Sequence, residues 1–591
     1  MPAGLRVGLA GTSGTAPAVH DRDEPATGPN ALGRRYEAAL APEARAAGAH
    51  YTPADVAARL ADLVLAPGAG AGWHRADVPP SARVWDPACG GGAFLLAAAD
   101  ALLAAGGDPE RIVAEQLWGT DTDPGAVAVA EAALCWWAHR HGVDARPGDH
   151  LADADPLLDP AAGDVGGPLA RAAATGFDVV LGNPPFQGQL TGSSVRTPAA
   201  TAALRSRLGA HVVRPYTDTA ALFLVLGARA LAPGGRLLLV QPTSVLAARD
   251  AAAARAAAQE VAELHGLWVA GEPVFDAAVQ VCAVLLERPT AGVEPLAPAV
   301  RVVRRWRGRD VRPVAVPEPG PDTGASRSRT SRSGGRRTTV EVGMAGVGER
   351  WAASALAAMG VPDPVVRVDG HLGAIATARA GFRDEYYGLV GHVHEAPPDG
   401  AGPEHGRLVT AGLVDPGRCR WGERPASFAR HRYERPVVDV GAVRSAGGRA
   451  AAWVGALAVP KVVVATQTRV GEAAVDEDGT WVASTPTVAV VAEPHLLWRV
   501  AAVVCSPVGT IAALAATAGT ARAGDAIRHG VASVEALPLP VDDDAWDAGA
   551  DALRRLDRDG FLAAMAAAYG SPRRDDVDGW WAARAPWPDG S

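Results

Sequence analysis

Short apolar stretches alternate with alanine-rich runs between residues 50 and 289, and this alternation constrains the fold more than any other feature of the chain. The apolar stretches have the composition of buried strands: RVWD, QLWGTD, FDVVLG, RLLLVQP, LWVAG and VQVCAVLLE. Several are separated by runs of helical length, such as Ala93–Ala105 and Ala126–Arg140. This order predicts an α/β sheet covered by helices on both faces.

The single lysine of the chain, Lys461, excludes two common enzyme chemistries. A chain of 591 residues, with 48% hydrophobic and 20% charged residues, is typical of a soluble globular protein with more than one domain. A Walker-type phosphate loop ends in Lys, and a PD-(D/E)xK nuclease needs a catalytic Lys, but Lys461 lies in neither context. We therefore expect neither ATP hydrolysis at a Walker site nor that nuclease chemistry.

The formal net charge of −9 argues weakly against nucleic-acid binding, although binding depends on where positive charge lies rather than on the total. The five cysteines are scattered without a CxxC pair, which predicts neither a disulfide framework nor a metal site and fits a reducing compartment. The N-terminal residues lack a signal-peptide pattern, and no apolar run predicts a membrane span. We expect a cytoplasmic protein.

Composition divides the chain into five segments. They are a flexible N-terminal tail (1–45), the α/β domain (46–292), a basic linker (293–340), a second domain of mixed α+β type (341–541) and a C-terminal helical tail (542–591). The first segment is rich in Gly, Pro, Ala and Ser without periodicity. The linker carries eleven arginines against three acids between residues 301 and 337, and is either simply solvated or also in contact with DNA phosphate.

The stretch VWDPACGGGAF predicts a strand that turns through glycines into a helix, where the backbone can approach a ligand closely. Acids mark three similar places: Asp86 ends this strand, Asp121 ends the next, and Asp149 follows the next helix. Asp121 suits the ribose hydroxyls of an adenosine, whereas Asp149 suits its amino group or a turn cap equally well. Asp123 is better explained as the N-cap of a helix that starts with Pro124. The acids fit an adenosine ligand and leave open a nicotinamide cofactor or S-adenosylmethionine.

A second helix start lies upstream, in HYTPADV. Thr52 is predicted at its N-cap and Pro53 at its first position, which by itself accounts for the pattern. Tyr51 is available to cover one side of the cofactor.

The sequence FDVVLGNPPF places an amide, two prolines and an aromatic ring directly after a predicted strand. Prolines stiffen the turn and provide no N–H, so the remaining polar groups are acceptors: the Asn183 side-chain oxygen and the Pro184 carbonyl. Two acceptors suit an exocyclic amino group, and Phe186 offers a flat face on which a base can stack. Acceptors off the ring plane favour a more tetrahedral nitrogen whose lone pair is directed at an incoming methyl group.

The order YTP, DPACGGGAF, GTDTDP, GDHL and GNPPF, followed by a large C-terminal region, resembles the adenine-N6 DNA methyltransferases of the γ order. The resemblance covers residues 50 to about 290 and continues weakly to about 541, where VASVEALPLP is similar to the end of their target-recognition domains. It implies a Rossmann-like class I methyltransferase sheet of seven mostly parallel strands, with S-adenosylmethionine as cofactor and double-stranded DNA as partner. It also implies a restriction-modification or phage-defence system in which a monomer suffices, with or without a separate restriction endonuclease.

The resemblance implies roles for individual residues. Those that would bind the cofactor are Tyr51, Thr52, Pro53, Asp86, Ala88, Gly90, Gly92, Asp121 and Asp149. Those that would hold the target base are Asn183, Pro184, Pro185 and Phe186. Phe275 is either a second ring against the flipped base or a core residue.

The NPPF motif is shared with enzymes that methylate RNA bases or protein glutamine, so both stay open as substrates. Asn rather than Ser before the prolines favours adenine over cytosine N4. A non-catalytic subunit is a third reading, against which the intact Asp86, Asp121 and Asn183 argue.

Arginines interleave with aromatic residues in the second-domain stretch GRCRWGERPASFARHRYERP. This pattern fits contacts with phosphates or guanine edges, or alternatively a solvated surface above an aromatic core. A base inside a duplex must be extruded to reach Asn183, so the DNA must be held elsewhere on the protein. The candidate DNA contacts are Arg430, Arg432, Arg435 and Arg469.

Overall fold

A computed structural model describes most of the chain. The described residues are 28–40, 52–66, 78–159, 172, 174–186, 196–270, 274, 280–290, 304–314, 340–343, 350–381, 383–397, 402, 404–518 and 526–587. Two residues assigned to the site from sequence, Tyr51 and Phe275, lie outside them.

The first half of the chain is built on one nine-stranded sheet, in the order β3-β2-β1-β4-β5-β7-β6-β8-β9. Its strands are β1 (Val84–Asp86), β2 (Leu117–Asp121), β3 (Leu151–Asp153), β4 (Phe177–Gly182), β5 (Leu231–Pro242), β6 (Glu263–Val269), β7 (Val281–Glu287), β8 (Arg304–Arg307) and β9 (Arg312–Pro313). The pairs from β3 to β5 are parallel, and β7 runs antiparallel to both β5 and β6. The first seven strands confirm the expected mostly parallel sheet, and β8 and β9 extend it beyond expectation.

Helices cover both faces of this sheet. They are α1 (Pro29–Ala39), α2 (Ala54–Leu65), α3 (Ala93–Ala104), α4 (Pro109–Arg111), α5 (Pro124–Arg140), α6 (Pro198–Leu208), α7 (Thr219–Arg229) and α8 (Ala252–Gln259). In β4, Val179 and Leu181 join the buried cluster under α2, α3 and α5, while Val180 joins the cluster under α7 and α8. Successive side chains of a strand point to opposite faces, so a strand covered on both sides is apolar throughout.

Helix α1 lies in the stretch that was expected to be a flexible tail. It begins with Pro29 at its first position and packs against α5. The Tyr36 hydroxyl donates a hydrogen bond of 2.7 Å to the Asp123 carboxylate, which also caps the start of α5. The tail prediction is therefore wrong for residues 28–40, because packing against the domain compensates for a weak sequence signal.

Strands β8 and β9 lie in the expected basic linker. They join the sheet at β6, and Arg309 forms hydrogen bonds of 2.9 and 3.0 Å with the two carboxylate oxygens of Asp55 on α2. Arg59 pairs with Asp310 in the same way. Residues 304–314 are thus part of the nine-stranded sheet rather than a linker, and Arg309 already has an acidic partner.

The second half combines several small sheets with helices, which confirms the expected α+β character. Its strands are β10 (Val340–Gly343), β11 (Val365–Val368), β12 (Ala376–Ala380), β13 (Val393–Glu395), β14 (His405–Val409), β15 (Val414–Asp415), β16 (Arg418–Cys419), β17 (Ala426–Phe428), β18 (His431–Tyr433), β19 (Pro436–Asp439), β20 (Lys461–Ala465), β21 (Gln467–Thr468), β22 (Ala473–Asp476), β23 (Trp481–Ala483), β24 (Thr487–Ala492) and β25 (Ile527–Arg528). The two largest sheets have the orders β12-β24-β20-β22 and β13-β19-β14-β23.

The helices of this half are α9 (Arg350–Ala358), α10 (Arg383–Leu389), α11 (Val440–Ala446), α12 (Gly448–Ala456), α13 (Leu497–Cys505), α14 (Pro507–Thr517), α15 (Val531–Glu535), α16 (Asp543–Arg554), α17 (Arg558–Ala568) and α18 (Asp575–Ala582). No single helix of the described residues is long and apolar enough to cross a membrane; the segments Pro494–Cys505 and Pro507–Thr517 reach that length only as a pair bent by 64°.

The last three helices belong to the core of the second half and do not form a separate tail. Trp546, Phe561 and Trp581 are buried in the same cluster as α13 and α14. Residues 542–582 were expected to be an appendage, so this segment boundary is wrong.

Helix α9 lies between the two halves. Trp351 and Ala355 are buried in the cluster formed by β6 and α8, while Leu356 is buried in the cluster of the second half. One helix therefore contributes to two cores.

Candidate cofactor and target-base site

A glycine turn connects β1 to α3 at the carboxyl edge of the sheet. Gly90 and Gly92 have φ values of +51° and +88°, a left-handed conformation that glycine adopts without strain. At Gly91 a Cβ would lie 2.4 Å from the Cα of Gly33 in α1, so only glycine allows the helix to approach this closely. The turn and α1 are in direct backbone contact.

Asp121, at the end of β2, holds this turn in place. One carboxylate oxygen accepts a hydrogen bond of 2.9 Å from the Gly90 N–H, and the other accepts one of 3.0 Å from the Asp123 N–H. Asp123 is the N-cap of α5, with Pro124 at the first position as predicted. These contacts organise the turn, and the carboxylate remains at the strand end where a ribose was expected.

Asp86 is fully buried at the end of β1. Its carboxylate accepts a hydrogen bond of 3.0 Å from the Ala88 N–H. A Cβ on Gly182 would lie only 2.3 Å from an oxygen of this carboxylate. The last residue of β4 must therefore be glycine for the Asp86 side chain to fit. The glycine before the NPPF motif and the aspartate of the DPACG motif depend on each other sterically.

Asn183 follows Gly182 and contacts the motif upstream of α2. Its Nδ2 donates a hydrogen bond of 3.1 Å to the Thr52 hydroxyl. Among the described residues no group donates to its buried Oδ1. The amide is therefore oriented by Thr52, with its oxygen left as an acceptor.

Thr52 differs from its predicted role. Helix α2 begins at Ala54, and its N-cap is Pro53, whose carbonyl accepts from the N–H groups of Val56 and Ala57. The Thr52 hydroxyl is thereby free of capping and serves Asn183 instead. The sequence predicted the helix start within one residue but not this consequence.

A cavity of about 410 Å³ brings these groups together. Its lining includes Asp86, Thr52 and Asn183, and the Ala88–Gly91 turn, as well as Glu37 and other residues of α1. No lysine or arginine is among the lining residues. The cavity therefore suits a ligand that carries positive charge.

Glu37 is the main acid that sequence reasoning missed. It lies beside the turn, where a Cβ on Gly90 would be 3.3 Å from its carboxylate oxygen, and it accepts a hydrogen bond from the Gly91 N–H. The available signal was Pro29 at a helix start followed by NALGRRYEAA, in which Leu32 and Tyr36 have the spacing of one helix face.

Burial dominates the electrostatics of the cavity. Burial first, and the Asp121 carboxylate in addition, raise the pKa of Asp86 to about 8 and that of Glu37 to about 7. The Ala88 and Gly91 N–H groups act in the opposite direction. Burial also raises the pKa of Asp121 itself. A cationic ligand would relieve this accumulation of desolvated negative charge.

Asp149 occupies a different place from the one expected. It lies in the turn Gly148–His150 before β3, and its side chain is exposed. The residue opposite Asp121 in the sheet register is Asp153. The pattern of one acid after each of three strands is thus wrong for Asp149, because β3 begins two residues later.

The residues predicted to hold the target base directly follow β4, as the sequence predicted. Pro184 is buried, while Pro185 and Phe186 are half-buried. Phe186 packs against the cluster that contains α2 and α3.

The comparison with protein families covers this half of the chain. Residues 28–290 match the model of the N-6 DNA methylase family. This part of the chain is similar to that family. The match begins at α1, in agreement with the packing of that helix against α5.

Solved structures with a similar fold include three restriction-modification proteins. The type IIL enzyme MmeI, determined in complex with DNA, gives a TM-score of 0.51 with 11% identity over 95% of this chain and 80% of that chain. The modification subunit of a putative type I restriction enzyme from Vibrio vulnificus YJ016 gives 0.34, with 20% identity over 49% of this chain and 52% of that chain. The EcoKI M protein gives 0.30, with 18% identity over 44% and 48%.

At these identities the likeness concerns the fold alone, and only the one to MmeI extends over both halves. The chain spans about half the length of the Vibrio subunit. No curated protein sequence matches the chain.

The four arginines predicted to contact DNA lie in three settings outside the matched residues 28–290. Arg430 is exposed at the tip of the β17–β18 hairpin with φ +67°, and Arg432 is exposed on β18. Arg435 lies over the Trp421 ring, and Arg469 is exposed after β21. Their contact with DNA stays a prediction.

Proposed function

We propose that this chain is a site-specific adenine DNA methyltransferase of a modification or phage-defence system. It transfers a methyl group from S-adenosylmethionine to the N6 amino group of an adenine flipped out of duplex DNA. Its place of action is the cytoplasm, with or without a separate endonuclease.

The observation that carries this proposal is the orientation of Asn183. Thr52 binds the amide nitrogen, so the side-chain oxygen is the acceptor offered to a substrate. The Pro184 carbonyl is the second acceptor of the motif, and neither proline has an N–H that would repel an amino group. An exocyclic amine with two N–H bonds matches these two acceptors.

The cavity fits the proposed cofactor. S-adenosylmethionine, when bound, supplies an electrophilic methyl group on a positively charged sulfur. Asp86 and Glu37 offer carboxylates to a cationic ligand, and the Ala88–Gly91 turn offers close backbone approach. Asp121 would accept hydrogen bonds from the ribose, and the exposed Asp149 from the adenine amino group.

The chain's own groups perform positioning rather than proton abstraction. Asn183 and Pro184 would fix the amino nitrogen with its lone pair out of the ring plane, and Phe186 would stack on the base. No strong base is required, since the proton can leave after methyl transfer. Extruding the base costs a few kcal/mol, which contacts of the second half with DNA would offset.

The test is single-molecule sequencing of genomic DNA from a methylation-deficient host that expresses the chain, beside an Asn183→Ala variant. We expect N6-methyladenine at one short motif in the first sample and none in the second. The variant should still bind S-adenosylmethionine in equilibrium dialysis, because Asn183 only borders the cofactor cavity.

Full methylation by Asn183→Ala would contradict the mechanism. A sample without N6-methyladenine in either case would contradict the proposed substrate. Radiolabelled methyl transfer into total RNA and protein would then identify the acceptor.

A further inference from the structure

A second cavity, of about 1220 Å³, lies in the second half of the chain. Its lining includes three arginines, Arg407, Arg435 and Arg444, and two tryptophans, Trp421 and Trp481. No aspartate or glutamate is among its lining residues. We call this cavity the arginine groove.

The arginine groove is built on regular structure. Arg407 lies on β14, directly opposite Trp481 of β23 in the sheet register. Arg435 immediately precedes β19, which pairs with β14 on the other side. Arg444 lies on α11, which follows β19. The cationic groups are therefore anchored by neighbouring strands and a helix of one sheet.

The Trp421 ring holds two of these cations. The guanidinium carbons of Arg407 and Arg435 lie 4.9 and 5.3 Å from its centroid. The indole N–H donates a hydrogen bond of 2.7 Å to the Pro436 carbonyl, which fixes the ring. Such a cation–π contact is attractive and leaves the guanidinium charge in place.

Neighbouring arginines show what a neutralised site looks like. Arg418 pairs with Glu423, and Arg420 and Arg424 pair with Asp415, at 2.9–3.5 Å. Within the described part of the chain, the three arginines of the groove form no such ion pair. In a chain of net charge −9, this groove brings together three arginines with no acidic residue in its lining.

We infer that the arginine groove binds the sugar–phosphate backbone of duplex DNA. The inference rests on the proposed DNA substrate and assigns a surface of the second half to it. Guanidinium groups match phosphate oxygens geometrically, and groups preset on a ring lose little freedom on binding. Arg435 thus acts with Arg407 and Arg444, and separately from Arg430 and Arg432 on the exposed hairpin.

The test is the salt dependence of binding to a fluorescent duplex oligonucleotide, measured without cofactor. Arg407→Gln, Arg435→Gln and Arg444→Gln should each weaken binding several-fold and reduce the slope of log K against log salt by about 1, the value for one lost phosphate contact. The matched control is Arg555→Gln, which removes the same charge from an exposed position on the same half and should leave the slope unchanged.

Groove variants whose salt slope equals that of Arg555→Gln would overturn the inference. The inference would also be wrong if polyglutamate displaced the duplex from the wild-type protein as effectively as unlabelled DNA does. If Arg407→Gln does not fold, two other variants test the inference. Arg407→Lys keeps the charge but loses the bidentate geometry, and Arg444→Gln changes an exposed residue. If the wild-type chain methylates DNA but the groove variants have unchanged salt slopes, this inference alone is wrong. If the groove variants have reduced salt slopes but the wild-type chain does not methylate DNA, the proposed function alone is wrong.

Discussion

Two acidic side chains of the cofactor cavity, Asp86 and Glu37, hold their protons more tightly than ordinary carboxyl groups, because burial penalises their charged forms. A cationic cofactor requires the charged forms. Binding must therefore compete with protonation, and the competition falls in the neutral pH range.

We expect the affinity for S-adenosylmethionine to rise with pH until it passes about 8, the pKa of Asp86. Glu37→Gln should weaken binding roughly 10- to 100-fold, the contribution of one charge-assisted hydrogen bond, and should flatten the pH dependence near 7. Isothermal titration calorimetry at several pH values measures both. An affinity that falls with rising pH would contradict the assignment.

The same pKa shift predicts how stability varies with pH. The folded-state pKa of Asp86 lies above its ordinary value of 3.8, so the folded state binds more protons between about 4 and 8. The free energy of unfolding should therefore decrease as pH rises through this window. Asp86→Asn should remove part of that decrease in urea unfolding, since an amide oxygen can still accept from Ala88. Asp478→Asn, at an exposed position, is the control and should follow the wild type.

Sequence reasoning reached Asp86, Asp121 and Asn183 because each residue directly follows a strongly apolar strand. It missed Glu37, whose role depends on the helix α1 packing on a turn that is distant in sequence. For Asp149 the motif was found from the sequence, but the position of the residue relative to β3 was not, because the start of that strand was not predicted.

At the scale of elements, Tyr36 provides a polar contact between α1 and α5. Tyr36→Phe should lower the free energy of unfolding by roughly 1–2 kcal/mol, because it removes a hydrogen bond to a carboxylate. Faster amide exchange in α1 should accompany the loss. Tyr216→Phe is the control, because that side chain is 59% exposed. Equal effects of the two substitutions would mean that Tyr36 does not anchor the helix.

The only lysine forms a buried cross-strand pair in the sheet of the second half. Lys461 on β20 lies opposite Asp476 on β22, and Asp476 also accepts from the N–H groups of Thr480 and Trp481. Asp476→Ala should cost about 3–5 kcal/mol, because it leaves a buried charge and two donors without their acceptor. Lys461→Met should cost less, since Asp476 keeps both backbone donors. Urea unfolding of both variants and of the double variant measures the order, and the reverse order would refute this account.

The elements that sequence predicted least well are those stabilised by partners distant in the chain. Strand β8 is rich in arginine and reads as a linker, but it pairs with β6 and is anchored through Arg309 to Asp55 on α2. Local composition contains no information about such a partner.

For the whole molecule, the final helices are expected to be indispensable to the second half. Removing residues 542–591 would take Trp546, Phe561 and Trp581 out of a shared core, and each large buried side chain contributes about 1.5–3 kcal/mol. We expect the shortened chain to be insoluble or rapidly proteolysed. A chain that lacks only residues 588–591 is the control and should behave as wild type. A soluble, protease-resistant product of the larger deletion would show that these helices are an appendage after all.

Helix α9 gives the two halves a common fate that composition did not predict. Trp351 and Ala355 are buried in one core and Leu356 in the other, so the helix is a structural element of both cores rather than a hinge. An exchange of the second half between related chains would have to cut on one side of this helix or the other. Whichever of the two chains supplies the helix, one of its two buried faces then packs against the core of the other chain. For the proposed methyltransferase, substitutions in the strands and loops beyond α9 should therefore change the DNA specificity more readily than transplanting the second half as a unit.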